Sequence, residues 1–170
     1  MLTNDAANLV ESKVLFRAPE HVTVAHWEDI AFVHWLARAD SMAMERVHSE
    51  LRPIVNAYPE GVSFIHVTHQ DVGLPDAGAR KVLARMMAEF AQVTVCVGVV
   101  LLGNGFWASA MQSLLTGMRL IAPPRRWQMR FPAHEAVIAD WVARMHTQRT
   151  QRAINADHIA ALIQEMRARQ

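Results

Sequence analysis

Strand-like and helix-like hydrophobic segments alternate along this 170-residue chain, and that alternation restricts the fold more than any single motif does. Two short apolar runs, at 22–25 and 31–36, come first and lie close together. A helical stretch over 41–58 follows, then a run at 62–67, a helix over 77–91 and a run at 93–102. A helix over 107–121, a run at 127–131 and a helix over 134–146 complete the series. The order, ββαβαβαβα, predicts one α/β domain on a mostly parallel sheet. The run at 93–102 is almost wholly apolar, as a central parallel strand is when helices cover both its faces.

Local signals refine this outline. Val22, Val24 and His26 alternate with Thr23, Ala25 and Trp27, and Glu28-Asp29 turns the chain back, so the first two runs form an antiparallel hairpin. Lys13-Val-Leu-Phe-Arg reads as an extra edge strand, and residues 1–12 as a frayed end. Asp40 or Ser41 caps a helix whose stripe is Met44, Val47, Leu51, Ile54 and Val55, with Pro53 expected to kink or break it. Asp76 caps the next helix, with Val82, Leu83, Met86, Met87 and Phe90 facing the core. The domain so defined spans 13–146. Residues 147–170 form an Arg-rich linker and a C-terminal amphipathic helix, with Ile159, Leu162, Ile163 and Met166 at i, i+3, i+4 and i+7. That helix either packs on its own sheet or docks on another chain.

Composition excludes several classes. With a formal net charge of +1, no long-range field recruits nucleic acid or an anionic membrane. Cys96 is alone, so no intramolecular disulfide forms and a reducing compartment is expected. The first residues lack the basic-then-apolar order of a signal peptide, and the run at 93–102 is about half the ~20 residues of a spanning helix. A cytoplasmic protein without a membrane span is the expectation.

Chemistry is weakly encoded. His66, His69 and Asp71 sit at a strand end, where open α/β sheets bind ligands, but His66 and His69 at i, i+3 of an extended segment point to opposite faces. They read as loop contacts, and no metal or cofactor is assigned. His26 and His34, each beside a tryptophan, read as exposed hairpin histidines. Gly103-Asn-Gly105 is a tight turn, neither a dinucleotide fingerprint nor a phosphate loop. Ser109 and Ser113 lack a G-x-S-x-G elbow, so no catalytic residue is assigned. Arg125, Arg126, Arg144, Arg149, Arg152, Arg167 and Arg169 make a locally basic C-terminal side, read as a solvated face.

The element order over roughly 20–146, with Val62-Ser-Phe-Ile-His-Val followed by a loop and a helix, resembles the STAS domain, the fold of bacterial anti-sigma-factor antagonists. That resemblance implies a signalling module in which a serine at the helix start, in an Asp-Ser-(Ser/Thr)-Gly-type loop, is phosphorylated by a partner kinase. The matching stretch here, Leu74-Pro-Asp-Ala-Gly-Ala79, keeps Asp76 and Gly78 but has Ala77 where the hydroxyl would be. Alanine cannot take up the ~−2 charge that drives such a switch.

The expected function is a non-enzymatic protein–protein interaction or regulatory module, self-associating or binding a protein partner. Its interaction loop would comprise Thr68, His69, Asp71, Asp76, Ala77 and Gly78. The tail helix, through Ile159, Leu162, Ile163 and Met166, would complete the surface. The rival expectation is a small-molecule or lipid-binding domain, with Trp27, Trp35 and Trp107 lining an apolar pocket of ~300 Å³ or more.

Overall fold

Among the described residues there are six strands and five α-helices, and the strands lie in the sheet in the order in which they occur in the sequence. The computed structural model describes residues 13–18, 21–121, 127–132 and 134–168. The readings made for 1–12, for Arg125 and Arg126 and for Arg169 lie outside the described residues. The strands are β1 (Lys13–Ala18), β2 (Val22–Trp27), β3 (Ile30–Trp35), β4 (Val62–His69), β5 (Thr94–Leu102) and β6 (Gln128–Arg130). The helices are α1 (Ser41–Ala57), α2 (Ala77–Glu89), α3 (Gly105–Ile121), α4 (Glu135–Thr150) and α5 (Ala156–Ala168).

β1 pairs antiparallel with β2, and β2 with β3. β3, β4, β5 and β6 then pair in parallel succession. The fold is therefore α/β with a mostly parallel sheet, and the segment at 13–18 is the extra edge strand.

This monotonic order has a packing consequence. Each β-helix-β unit from β3 to β6 steps the same way across the sheet, so the right-handed crossover rule sends α1, α2 and α3 to one face. There, α1 and α2 bury Met44, Val47, Leu51, Val82 and Met86 against Val24, Val33 and Phe64. The opposite face, with Phe32, Ile65, Cys96 and Val100, would be left bare. α4 and α5 cover it, burying Ile138, Trp141 and Val142 together with Ile159, Leu162, Ile163 and Met166. The tail helix is thus part of the core. The division at 146 falls inside α4, which continues to Thr150, and the four residues assigned to an interface with another chain are buried at 7% exposure or less in this one.

Local signals explain the helix starts. The Asp40 carboxylate accepts from the Ala43 N–H at 2.8 Å, and Asp76 from that of Ala79 at 2.7 Å, each filling one of the vacant donors of a first turn. α1 runs unbroken through Pro53, contrary to the expected break, and closes four residues later.

Candidate functional site

An apolar cavity of about 100 Å³ lies on the α1–α3 face. Its floor is the inward side of the sheet: Trp35 from β3, Phe64, His66 and Thr68 from β4, and Val97 and Val99 from β5. α2 contributes Leu83, Met86 and Met87, α3 contributes Met111 and Leu115, and Trp127 and Met129 close the β6 side. Five of the chain's ten methionines line it: Met44, Met86, Met87, Met111 and Met129. Unbranched thioethers adapt to a guest more easily than branched side chains do.

No charged side chain among the described residues lines the cavity. Besides the indole N–H groups of Trp35 and Trp127, three of their polar side chains line it. Thr94 is satisfied, its hydroxyl donating to the Phe90 carbonyl at 2.8 Å. His66 accepts a long hydrogen bond from the Trp35 indole N–H, at 3.4 Å on Nδ1. Burial pushes its imidazole down to about 4, so the ring is neutral at physiological pH, and its proton sits on Nε2. Thr68 is 5% exposed, and its hydroxyl has no hydrogen-bond partner. A neutral imidazole and a hydroxyl at the edge of an apolar cavity can exchange hydrogen bonds with a guest.

A second cluster sits at the same strand ends on the opposite face. His34 and His69 meet Nε2 to Nε2 at 3.1 Å, so one ring donates and the other accepts. Burial, then the neighbouring His69, pushes His34 down to about 4. Burial, then Arg167, also lowers His69, while Asp71 opposes that shift. Among the described residues no group of three or more His, Cys, Asp or Glu side chains converges as a metal ion requires. His66 faces the cavity and His69 the other side, so the set His66, His69 and Asp71 does not assemble. His34, expected on an exposed hairpin face, is 1% exposed beneath α5.

A third cluster was not anticipated. Ser63 Oγ lies 2.8 Å from His146 Nδ1, and His146 Nε2 lies 3.1 Å from Asp29 Oδ2. Arg152 donates to that carboxylate at 2.7 Å, and Cys96 Sγ donates to Ser63 Oγ at 3.3 Å. The residue types are those of a hydrolase triad, but the ring nitrogens are exchanged relative to that arrangement. Ser63 and His146 are 0% exposed, Asp29 is 2% exposed, and none of them lines the cavity. Burial raises the Cys96 thiol to about 12 and keeps it unreactive. The cluster ties α4 and the segment after it to β4 and to the β2–β3 turn. Its one sequence signal is the small polar Ser63 in the apolar first half of β4.

The assigned interaction loop separates into different roles. Thr68 faces the cavity and His69 the opposite side. Asp71 and Ala77 are exposed, Asp76 caps α2, and a Cβ on Gly78 would stand 2.8 Å from that of Ser41, so the starts of α1 and α2 touch there. These six residues do not form one surface. The three tryptophans do not share a pocket either. Trp35 lines the cavity, Trp27 packs edge-on to His158 at 5.4 Å on the other face, and Trp107 is half-buried outside the lining. Trp127 takes the place assigned to them. At about 100 Å³ the cavity is also smaller than the pocket of ~300 Å³ or more expected for a small-molecule or lipid ligand.

No family model matches this chain, and neither does any curated protein or solved structure. No helix among the described residues is long and apolar enough to cross a membrane.

Proposed function

We propose that this chain is a non-enzymatic binding module of STAS-like architecture whose cavity between the sheet, α2 and α3 takes a small apolar ligand. The observation that carries this reading is the cavity itself. Among the described residues it is lined almost wholly by apolar side chains, half the chain's methionines among them, and by no charged one. An apolar void of ~150 Å³ in a protein core stays dry and binds benzene, so a void of this order is a usable site. The STAS-like assignment rests on the element order from β2 to α4, and Ala77, where that family carries its phosphorylated serine, favours constitutive binding over a phosphate switch. Calorimetric titration with benzene tests the ligand reading. Saturable binding that disappears in Val99→Phe, which fills the cavity floor, supports it. Equal heats for the two proteins would place the binding elsewhere and refute it.

A regulatory interaction module is the second reading, and one observation favours it. Phe106 is 89% and Leu120 77% exposed. They are fourteen residues apart on α3, nearly four turns, and so share its outer side. Light scattering over a concentration series tests self-association through this face. An oligomer that becomes a monomer in Phe106→Ser/Leu120→Ser supports it, and a monomer at every concentration removes the self-association form.

A further inference from the structure

The cavity contains more chemical information than its apolar lining. Thr68 and His66 are two residues apart on one face of β4, so their side chains lie ~7 Å apart along the strand. The Thr68 hydroxyl is buried with no hydrogen-bond partner, a condition that costs stability in a folded chain. A hydrocarbon guest leaves that deficit as it is. A guest oxygen near Thr68 removes it. His66 adds a second donor of the same kind, because its Nδ1 already accepts from Trp35 and its proton is on Nε2.

Charge restricts the guest further. Among the described residues neither Lys nor Arg lines the cavity, so a carboxylate bound against them would be buried unpaired. An ammonium group would likewise lack a carboxylate partner. Volume restricts it again, since about 100 Å³ accommodates a single ring rather than an extended acyl chain.

We propose that the cavity selects a neutral, ring-sized ligand bearing one hydrogen-bonding oxygen, the chemistry of a simple phenol. This rests on the ligand-binding reading above and names the class of ligand for the same site. Thr68 supplies the discrimination between phenol and the bare ring, and the uncharged lining among the described residues supplies the rejection of aromatic acids.

Full-length protein labelled with carbon-13 at its methionine methyl groups tests this with three probes: phenol, benzene and benzoate. Phenol and benzene should both shift the signals of the lining methionines, phenol with the lower dissociation constant, and benzoate should leave them in place. Thr68→Val keeps the shape and removes the hydroxyl. It should weaken phenol about fivefold, the loss of one hydrogen bond, and leave benzene unchanged. Thr68→Ser, which keeps the hydroxyl, should retain the preference for phenol and controls for altered packing. Equal affinities for phenol and benzene, an unchanged preference in Thr68→Val, or benzoate binding as tightly as phenol would each overturn the proposal while leaving an apolar site. If none of the three probes shifts a lining methionine, the ligand-binding reading fails as well.

Discussion

At Gly98 a single methyl group decides whether α4 can dock. A Cβ added there would lie 2.5 Å from Ile138 Cδ1 and 2.6 Å from Cγ1, and Ile138 is 0% exposed, with no free space to turn into. Gly98→Ala should therefore cost about 1–3 kcal/mol through overpacking, read as a lower denaturant midpoint with an unchanged slope. An unchanged midpoint would mean that Ile138 repacks freely. The buried histidines make a pH prediction. An unfolded histidine titrates near 6.5, whereas His66 and His34 titrate near about 4 in the fold. Between those values the unfolded chain binds protons that the folded chain refuses. Their stabilising contribution is therefore complete above about 6.5 and is lost as pH falls toward 4. The midpoint should drop between pH 7 and pH 4.5, less so in His66→Phe, which has no proton to bind. A flat or rising midpoint would contradict the burial of neutral rings. Little of this residue-scale detail was legible in the sequence. Ser63, His146 and Asp29 lie far apart along the chain, and only the completed sheet brings them within hydrogen-bond distance.

At the scale of elements, legibility was high for type and low for placement. The strands and helices follow the hydrophobic periods closely, and Asp40 and Asp76 cap where short polar residues precede an apolar stripe. The final helix was identifiable from its stripe, but its destination was not. A stripe states that a helix must bury a face and says nothing of what covers it. The missing information was the strand order, since three crossovers on one face leave the other to α4 and α5. The placement makes a prediction for truncation. Removing 151–170 exposes the surface that Ile159, Leu162, Ile163 and Met166 cover, about 6–12 kcal/mol of side-chain burial. That is comparable with the whole net stability of an ordinary domain. The truncated chain should lose its near-ultraviolet dichroism and its dispersed amide spectrum. A folded, native-like fragment would show that α5 is dispensable. Pro53 carries the same lesson on a smaller scale, for a proline near the end of a helix can be held in place by tertiary packing on Leu51 and Ile54.

At the scale of the whole molecule, the two faces of one sheet have divided the work. The α4–α5 face is densely filled and pinned by the Ser63, His146, Asp29 and Arg152 cluster, with Arg167 and Glu135 paired between α5 and α4. The α1–α3 face closes less completely, because among its described side chains α3 buries only Met111 fully, and it carries one charged side chain, Arg119, in its length. The cavity lies where that looser helix meets the sheet, a volume enclosed by residues far apart in sequence and therefore invisible to local patterns. Met44, Met86 and Met87 were visible as helix-stripe residues, but only the fold gathers them with Met111 and Met129 around one void. The most direct test of the central claim is a crystal structure of the full chain under xenon pressure. The account predicts a xenon atom among Trp35, Met86, Met111 and Leu115. A collapsed cavity with no xenon on the α1–α3 side of the sheet would contradict it.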